Sequence, residues 1–481
     1  MADKELRRTK IVGTLGPATD APGVLENMIA AGLDVVRLNF SHGDAADHIK
    51  RAKMVREAAT AVGREVGVLA DLQGPKIRIE RFVDGKITLA EGDDFILDVA
   101  CGTNEGDQQR VGLTYKELID DVSAGDVLLL DDGALELQVV SVSGSEIRCT
   151  VLIGGVLSNS KGINRQGGGL SAAALTDKDK ADIKTAAELQ ADYIAVSFPR
   201  NAADIHQARE LLRAAGGHGG VVAKIERADS LGSVEDIVAS SDVIMIARGD
   251  LGVEIGDAEL PGVQKHLIHM ARNMNRVVIT ATQMMQSMVE NQIPTRAEVF
   301  DVANAVLDGT DAVMLSEETA AGKYPVKVVE AMDRICRGAE RQKLTQSSRH
   351  RVNTQFRDID EAIAMSSMYT ANHLGVRAIA ALTESGSTPQ WMSRISSGIP
   401  IYAMTRHEQT RRKVTLYRGV YPVAFDLKSE HHVEVNKEVV DELLSSGTVR
   451  EGDVIIITKG DLTGVHGGTN TMKIVQIGNH Y

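Results

Sequence analysis

Cysteine is nearly absent: Cys101, Cys149 and Cys336 are the only three in 481 residues, and no two form a CxxC pair. That argues against a disulfide framework or a zinc ribbon and fits a reducing compartment. Aromatic residues make up only 3%, with one tryptophan, too few for an aromatic-cored β-sandwich. Positive charge is also short, at a formal balance of −13, whereas nucleic-acid binders need a basic face. No apolar run approaches the ~20 residues that span a bilayer. The opening MADKELRRTK has no apolar segment of signal-peptide type. A cytoplasmic protein with neither nucleic-acid nor membrane partners is expected. No GxxxxGK[ST] loop occurs, which disfavours a Walker-type ATPase.

What the chain has is glycine, 45 of them, and a recurring phrase: a short apolar run, a polar or Gly-rich end, then helical text. The runs end at KIVGTLG, DVVRLNF, EVGVLAD, DYIAVSF, GVVAKIE, DVIMIARGD, RVVITATQ and DAVMLSE. Eight such units predict an α/β fold built on a (β/α)8 TIM barrel. One interval breaks the rhythm. Residues 75–170 read as short β runs with turn dipeptides Asp84-Gly85, Asp132-Gly133 and Ser143-Gly144, an inserted all-β domain. Residues 1–74 and 171–345 then form the barrel, at about the usual 250 residues. A polar linker follows, and residues 346–481 read as a C-terminal open α/β sheet domain. No internal sequence repeat is evident.

Side chains two apart on a strand share a face. By that rule Arg37, Asn39 and Ser41 group together, as do Lys224 with Glu226, Arg248 with Asp250, and Thr280 with Thr282. All lie at strand C-terminal ends, the barrel rim where active sites are built. Two carboxylates from neighbouring strands, Glu226 and Asp250, would repel by about 3 kcal/mol at ~5 Å in an effective dielectric of ~20. A divalent cation removes that repulsion, and hard oxygen ligands suit Mg²⁺ or Mn²⁺. With Lys224 alongside and the Arg37 fork nearby, the set suits phosphoryl transfer, which needs positioning and charge neutralisation.

The stretches RLNFSHG, AKIE, ARGDLG, ATQMMQSM, PTRAEVFDVANAVLDGTDAVMLSEETA and RAIAALTESGST resemble the pyruvate kinase family, in order and nearly end to end. The resemblance implies phosphoryl transfer from phosphoenolpyruvate to ADP, giving pyruvate and ATP in glycolysis. It implies Arg37 on the substrate phosphate, Lys224 on the phosphoryl group in flight, and Glu226 and Asp250 on the metal. Gly249 and Thr282 would hold substrate beside them. Thr282 and Ser316 match residues at the end where the enolate is protonated, by a side chain or by water. Nucleotide contacts would come from Asn39, Phe40, Ser41, His42, Arg78 and Lys161, with the β insert closing as a lid. A homotetramer is implied as well.

Several positions depart from the family. RQG stands after Asn164 where relatives often show Leu-Pro-Gly, and Glu317 replaces a small residue. Asn39, Ser41 and Asp71 match ligands of a monovalent cation, but Leu72 and Lys76 stand where potassium-dependent relatives show Thr and Glu. Lys76 is therefore expected to replace K⁺ in that pocket. The C-terminal domain resembles a regulatory one. Thr383, Glu384, Ser385, Gly386, Ser387 and Thr388 form a candidate phosphate loop. TKGDLTGVHGGTN lacks the Trp and Arg of some bisphosphate sensors, so a sugar monophosphate or AMP is the expected effector. A metal-dependent lyase or mutase, and a non-catalytic effector sensor, are the rival readings. His266 with His269, and His431-His432, read as ordinary surface or interface histidines. The methionines of MMQSM read as packing.

Overall fold

A computed structural model describes residues 6–346, 355–429, 431–461 and 468–478. Eight parallel strands close a barrel: β1 (Lys10–Thr14), β2 (Val35–Asn39), β3 (Gly67–Asp71), β4 (Tyr193–Val196), β5 (Gly220–Ile225), β6 (Val243–Ala247), β7 (Val277–Ala281) and β8 (Ala312–Leu315). Ring order follows chain order, and β1 closes on β8 through Lys10↔Ala312. Helices cover the outside, so the strands are apolar on both faces and read as near-continuous Val/Ile/Leu/Ala runs. With so few aromatics, Val12, Leu69, Val222, Met245 and Ile279 fill the interior, with Tyr193 as the one large ring.

The floor of the barrel, at the strand N-terminal ends, carries a repetition that the sequence conceals. Asp34, Asp192, Asp242 and Asp311 stand immediately before β2, β4, β6 and β8. Each carboxylate accepts the backbone N–H of the second residue of the preceding odd strand: Ile11 (2.9 Å), Val68 (2.8 Å), Val221 (2.7 Å) and Val278 (3.0 Å). Each also holds arginine. Asp34 takes Arg7 and Arg64, and Asp242 takes Arg209, all from the barrel segments. Asp192, which also takes Arg56 of the barrel, and Asp311 receive Arg412 and Arg394 from the C-terminal segment. The floor is thus completed by the other sheet. The interior core runs on through it to Ile379, Met392 and Tyr417.

The insert after β3 has a six-stranded sheet ordered Ile163–Arg165, Val127–Leu130, Leu135–Ser143, Glu146–Ile153, Asp94–Asp98, Arg110–Val111. A two-stranded pair, Lys86–Leu89 with Gly155–Ser158, lies beside it. Gly85, Gly133 and Gly144 all have positive φ, as their turns require. The C-terminal sheet runs Val420–Ala424, Ile401–Thr405, Ala378–Leu382, Val454–Gly460, Thr469–Gln476. Its last strand is antiparallel, an edge that the sequence reading did not anticipate. Among the described residues no helix is long and apolar enough to cross a membrane.

Candidate active site

The interior faces of β2, β3 and β5 deliver the ionic core of the barrel mouth. Arg37 and Asn39 follow Val35 on the inward face of β2, and Lys224 follows Val222 on β5. Lys224 is buried. Its ammonium donates to Ser197 Oγ (2.7 Å) and pairs with Glu226 (2.9 Å) and Asp71 (3.4 Å). Burial alone would lower its pKa, but the Asp71 and Glu226 carboxylates outweigh that and hold it above the usual lysine value. Asp71, only 1% exposed, accepts Arg37 Nε at 2.6 Å through Oδ2. Its Oδ1 has no hydrogen-bond partner. Arg37 Nη1 donates to Thr14 Oγ1 (3.1 Å), which braces the fork from β1.

Glu226 accepts the Phe198 N–H (3.0 Å) besides Lys224. Burial raises its pKa and the nearby Asp250 charge adds to that, against Lys224. Two carboxylates whose proximity costs free energy are a fitting seat for a hard divalent cation. Among the described residues no three or more His, Cys, Asp or Glu gather as a ready metal cage.

The strand-alternation argument fails at two of its four sets. β6 ends at Ala247, and Arg248–Ile255 is a helix, so Arg248 and Asp250 do not share a strand face. Arg248 turns outward, donating to Ala281 O (3.0 Å), Thr282 O (2.6 Å) and Asp301 (2.7 Å), and braces the rim. Gly249 and Asp250 occupy the helix's first turn. β7 likewise ends at Ala281. Thr280 is buried and donates to Thr310 Oγ1 (3.0 Å), away from the mouth. Thr282 reaches it through a left-handed backbone (φ 64°), and its Oγ1 accepts the Gly249 N–H at 2.9 Å. Ser316 closes the same rim, its N–H held by buried Glu318 (2.6 Å). Exposed Glu317 accepts Gln286 Nε2 (2.8 Å).

The loop after β2 is built on its own backbone. Asn39 Oδ1 accepts the Ser41 N–H (3.1 Å), and the His42 N–H bonds Asn39 O (3.2 Å). The Phe40 ring is buried and stacked on His48 at 4.0 Å, so only its backbone can meet a ligand. Arg78 and Lys161 sit on the insert, Arg78 on Ser160 O (2.9 Å) and Lys161 on Asp131 (2.7 Å). The one ion pair of Lys76 among the described residues is with Asp250, at 3.6 Å.

Three functional neighbours escaped the sequence reading. Ser197, from the end VSFPR, orients Lys224 and donates to Leu72 O (2.7 Å). Thr14 props Arg37. Glu254, on the helix that carries Asp250, accepts the Ala228 N–H (2.8 Å) and Asn164 Nδ2 (3.3 Å), tying insert to barrel. Burial pushes the Glu254 carboxyl up to about 7. Beside it Gly167, Gly168 and Gly169 all adopt positive φ, a conformation only glycine takes freely.

In the C-terminal sheet the loop after Leu382 borders a cavity of about 230 Å³ with Arg406 and Lys428. Glu384 pairs with Arg406 (3.8 Å) and contacts His407, so its negative charge is offset. Thr388 is buried against Thr469 (2.7 Å) and faces away from the cavity. Residues 462–467 of the second loop lie outside the described residues, as does the side chain of His432. Met284, Met285 and Met288 are core, as expected.

Comparison with known proteins follows the same architecture. A family profile described as pyruvate kinase, barrel domain, matches residues 6–329, and one for the pyruvate kinase alpha/beta domain matches residues 361–475. The chain is 56% identical over 478 residues to pyruvate kinase II of Salmonella typhimurium, covering 98% of this chain and 99% of that protein. It is 55% identical to the pyruvate kinase of Haemophilus influenzae, covering 95% and 96%. Against the Geobacillus stearothermophilus pyruvate kinase identity is 43%, covering 97% of this chain and 80% of that protein.

Proposed function

Because the chain belongs to the pyruvate kinase family of phosphotransferases, we propose that its barrel mouth moves the phosphoryl group of phosphoenolpyruvate to ADP. The observation that carries this reading is the Arg37–Asp71–Lys224–Glu226 cluster, with the Asp250 charge near enough to act on Glu226. Both reactants are anionic, so their approach is uphill until cations screen them. Arg37, held rigid by Asp71 and Thr14, presents its remaining donors to the substrate phosphate. Lys224 stabilises the charge on the phosphoryl group as it passes, oriented by Ser197. A divalent cation, Mg²⁺ or Mn²⁺, on Glu226 and Asp250 supplies further charge neutralisation when bound. Gly249 and Thr282 position the carboxylate end. Thr282 and Ser316 stand where the enolate of pyruvate takes its proton, directly or through water.

Asn39, Phe40 through its backbone, Ser41, His42, Arg78 and Lys161 contact ADP, and the insert closes over them to keep water from the donor. Lys76 provides a univalent charge at the mouth, so K⁺ is not required. The cytoplasm and glycolysis are the setting. The cavity bordered by Thr383, Glu384, Arg406 and Lys428, beside the loop Thr383–Thr388, takes a sugar monophosphate or AMP as effector. Exposed Phe300 and Ile293 on the barrel and Ile359 and Tyr369 on the C-terminal helix support a homotetramer.

The test is a lactate-dehydrogenase-coupled assay with phosphoenolpyruvate, Mg²⁺ and ADP in tetramethylammonium buffer. ADP-dependent pyruvate and ATP formation is expected, with less than about a twofold gain on adding KCl. Pyruvate release without ADP would favour a lyase, no turnover would favour a sensor, and a large KCl gain would refute the Lys76 assignment alone.

A further inference from the structure

Both carboxylates assigned above to a divalent cation already face a lysine. Lys224 stands 2.9 Å from Glu226 and Lys76 stands 3.6 Å from Asp250. Two ammonium groups carry the charge of one divalent cation, so the pair of carboxylates is neutralised before any metal arrives. The two states exclude each other. A bound Mg²⁺ sits about 2 Å from its oxygens and repels an ammonium held against the same carboxylate.

We infer that Lys76 competes with the divalent cation for Asp250, and that its displacement unlatches the β insert from the barrel. This rests on the assignment of the cation to Glu226 and Asp250. The two lysines differ in what they can fall back on. Lys224 keeps Ser197 Oγ at 2.7 Å and Asp71 at 3.4 Å when Glu226 is taken, and the Asp71 oxygen it faces has no hydrogen-bond partner. It stays in the mouth, released from Glu226 for the phosphoryl group. Lys76 has no second ion-pair partner among the described residues, so its hold on Asp250 weakens with no other carboxylate to replace it.

Its location makes that weakening matter. Lys76 lies on the stem Gly74-Pro75-Lys76 that leads from β3 into the insert. Its aliphatic chain lies along Gly162, where an added Cβ would meet Lys76 Cε at 3.6 Å. Ile163 and Asn164 of the insert and Phe198 and Asp250 of the barrel surround it about a cavity of only about 30 Å³. The Lys76–Asp250 pair therefore straddles the joint. Loading the cation removes one strap and leaves the others, Asn164 Nδ2 (3.3 Å) and the Gly167 N–H (3.1 Å) on Glu254 and the Gly169 N–H on Asp229 (3.3 Å). Metal binding, which requires no nucleotide, then readies the lid to move before ADP enters.

The full-length protein without substrates provides the test, with free Mn²⁺ measured by electron paramagnetic resonance. K76M is expected to bind Mn²⁺ about two- to fivefold tighter than the unsubstituted protein, the upper part of the range for losing one partly exposed ion pair. K76R, which keeps the charge, should match the unsubstituted protein. Equal or weaker binding by K76M, with E226Q still weakening Mn²⁺, would overturn the competition and leave the metal assignment standing. No effect of E226Q would overturn both. Hydrogen exchange over residues 161–170 reads the latch. It should be faster in metal-free K76M than in the metal-free unsubstituted protein, and Mn²⁺ should bring the latter up to the same rate. Unchanged exchange in both would refute the unlatching.

Discussion

Replacing Arg394 by methionine should undock the C-terminal sheet from the barrel floor. Arg394 is 0% exposed and its partner Asp311 2%, so the fork and carboxylate are sealed from water. In R394M the Asp311 carboxylate keeps only the N–H groups of Val278 (3.0 Å) and Arg418 (3.2 Å). Breaking a buried pair from one side costs about 3–5 kcal/mol, because the orphaned charge must stay desolvated or open the interface to water. Removing both charges should be cheaper, so R394M/D311N, whose amide oxygen still accepts one of these N–H groups, should recover part of the loss. The single tryptophan, Trp391, lies on the same short helix and reports undocking through its fluorescence in urea. A loss below about 1 kcal/mol in R394M, or no recovery in the double variant, would refute the view that the floor charges key the two sheets together.

Two other perturbations address the joint between insert and barrel. Glu254, raised from 4.5 to about 7 by burial, binds its proton more tightly folded than unfolded, so its contribution to stability is full below about pH 4.5 and is lost as pH rises through about 7. The E254Q protein should lack this fall, and parallel stability–pH curves for the two proteins would contradict it. In G168A a left-handed alanine costs about 1–2 kcal/mol. Its Cβ would also meet Asp229 N at 3.0 Å and Glu254 Oε2 at 3.2 Å. The KM for ADP should rise with phosphoenolpyruvate binding unchanged, and unaltered ADP kinetics would show that the hinge tolerates a side chain.

The barrel was legible because each strand is buried on both faces and ends abruptly in polar text. Alternation placed Arg37, Asn39 and Lys224 correctly, since β2 and β5 stay extended up to those residues. It misplaced Arg248 and Thr280, because β6 passes into helix at Arg248 and β7 turns left-handed at Thr282. A period of two cannot report where a strand ends. Ser197 and Thr14 were missed because a lone hydroxyl at a strand end carries no spacing signal. The floor aspartates were missed for a related reason: a one-residue repeat recurring at unequal intervals, with arginines drawn from distant segments, has no period. Lys76 was assigned by resemblance to one pocket, and its pairing with Asp250 depends on a contact between insert stem and barrel that only coordinates reveal.

The account as a whole depends on one ammonium group acting at the centre of the mouth. The most direct measurement is kcat for pyruvate formation by K224M, with Mg²⁺ and both substrates saturating and with Trp391 fluorescence confirming the fold. A fall of about 10²–10³-fold is expected for loss of one preorganised charge from a water-excluded site. Turnover within about tenfold of the unsubstituted protein would mean that Lys224 does not carry the transfer.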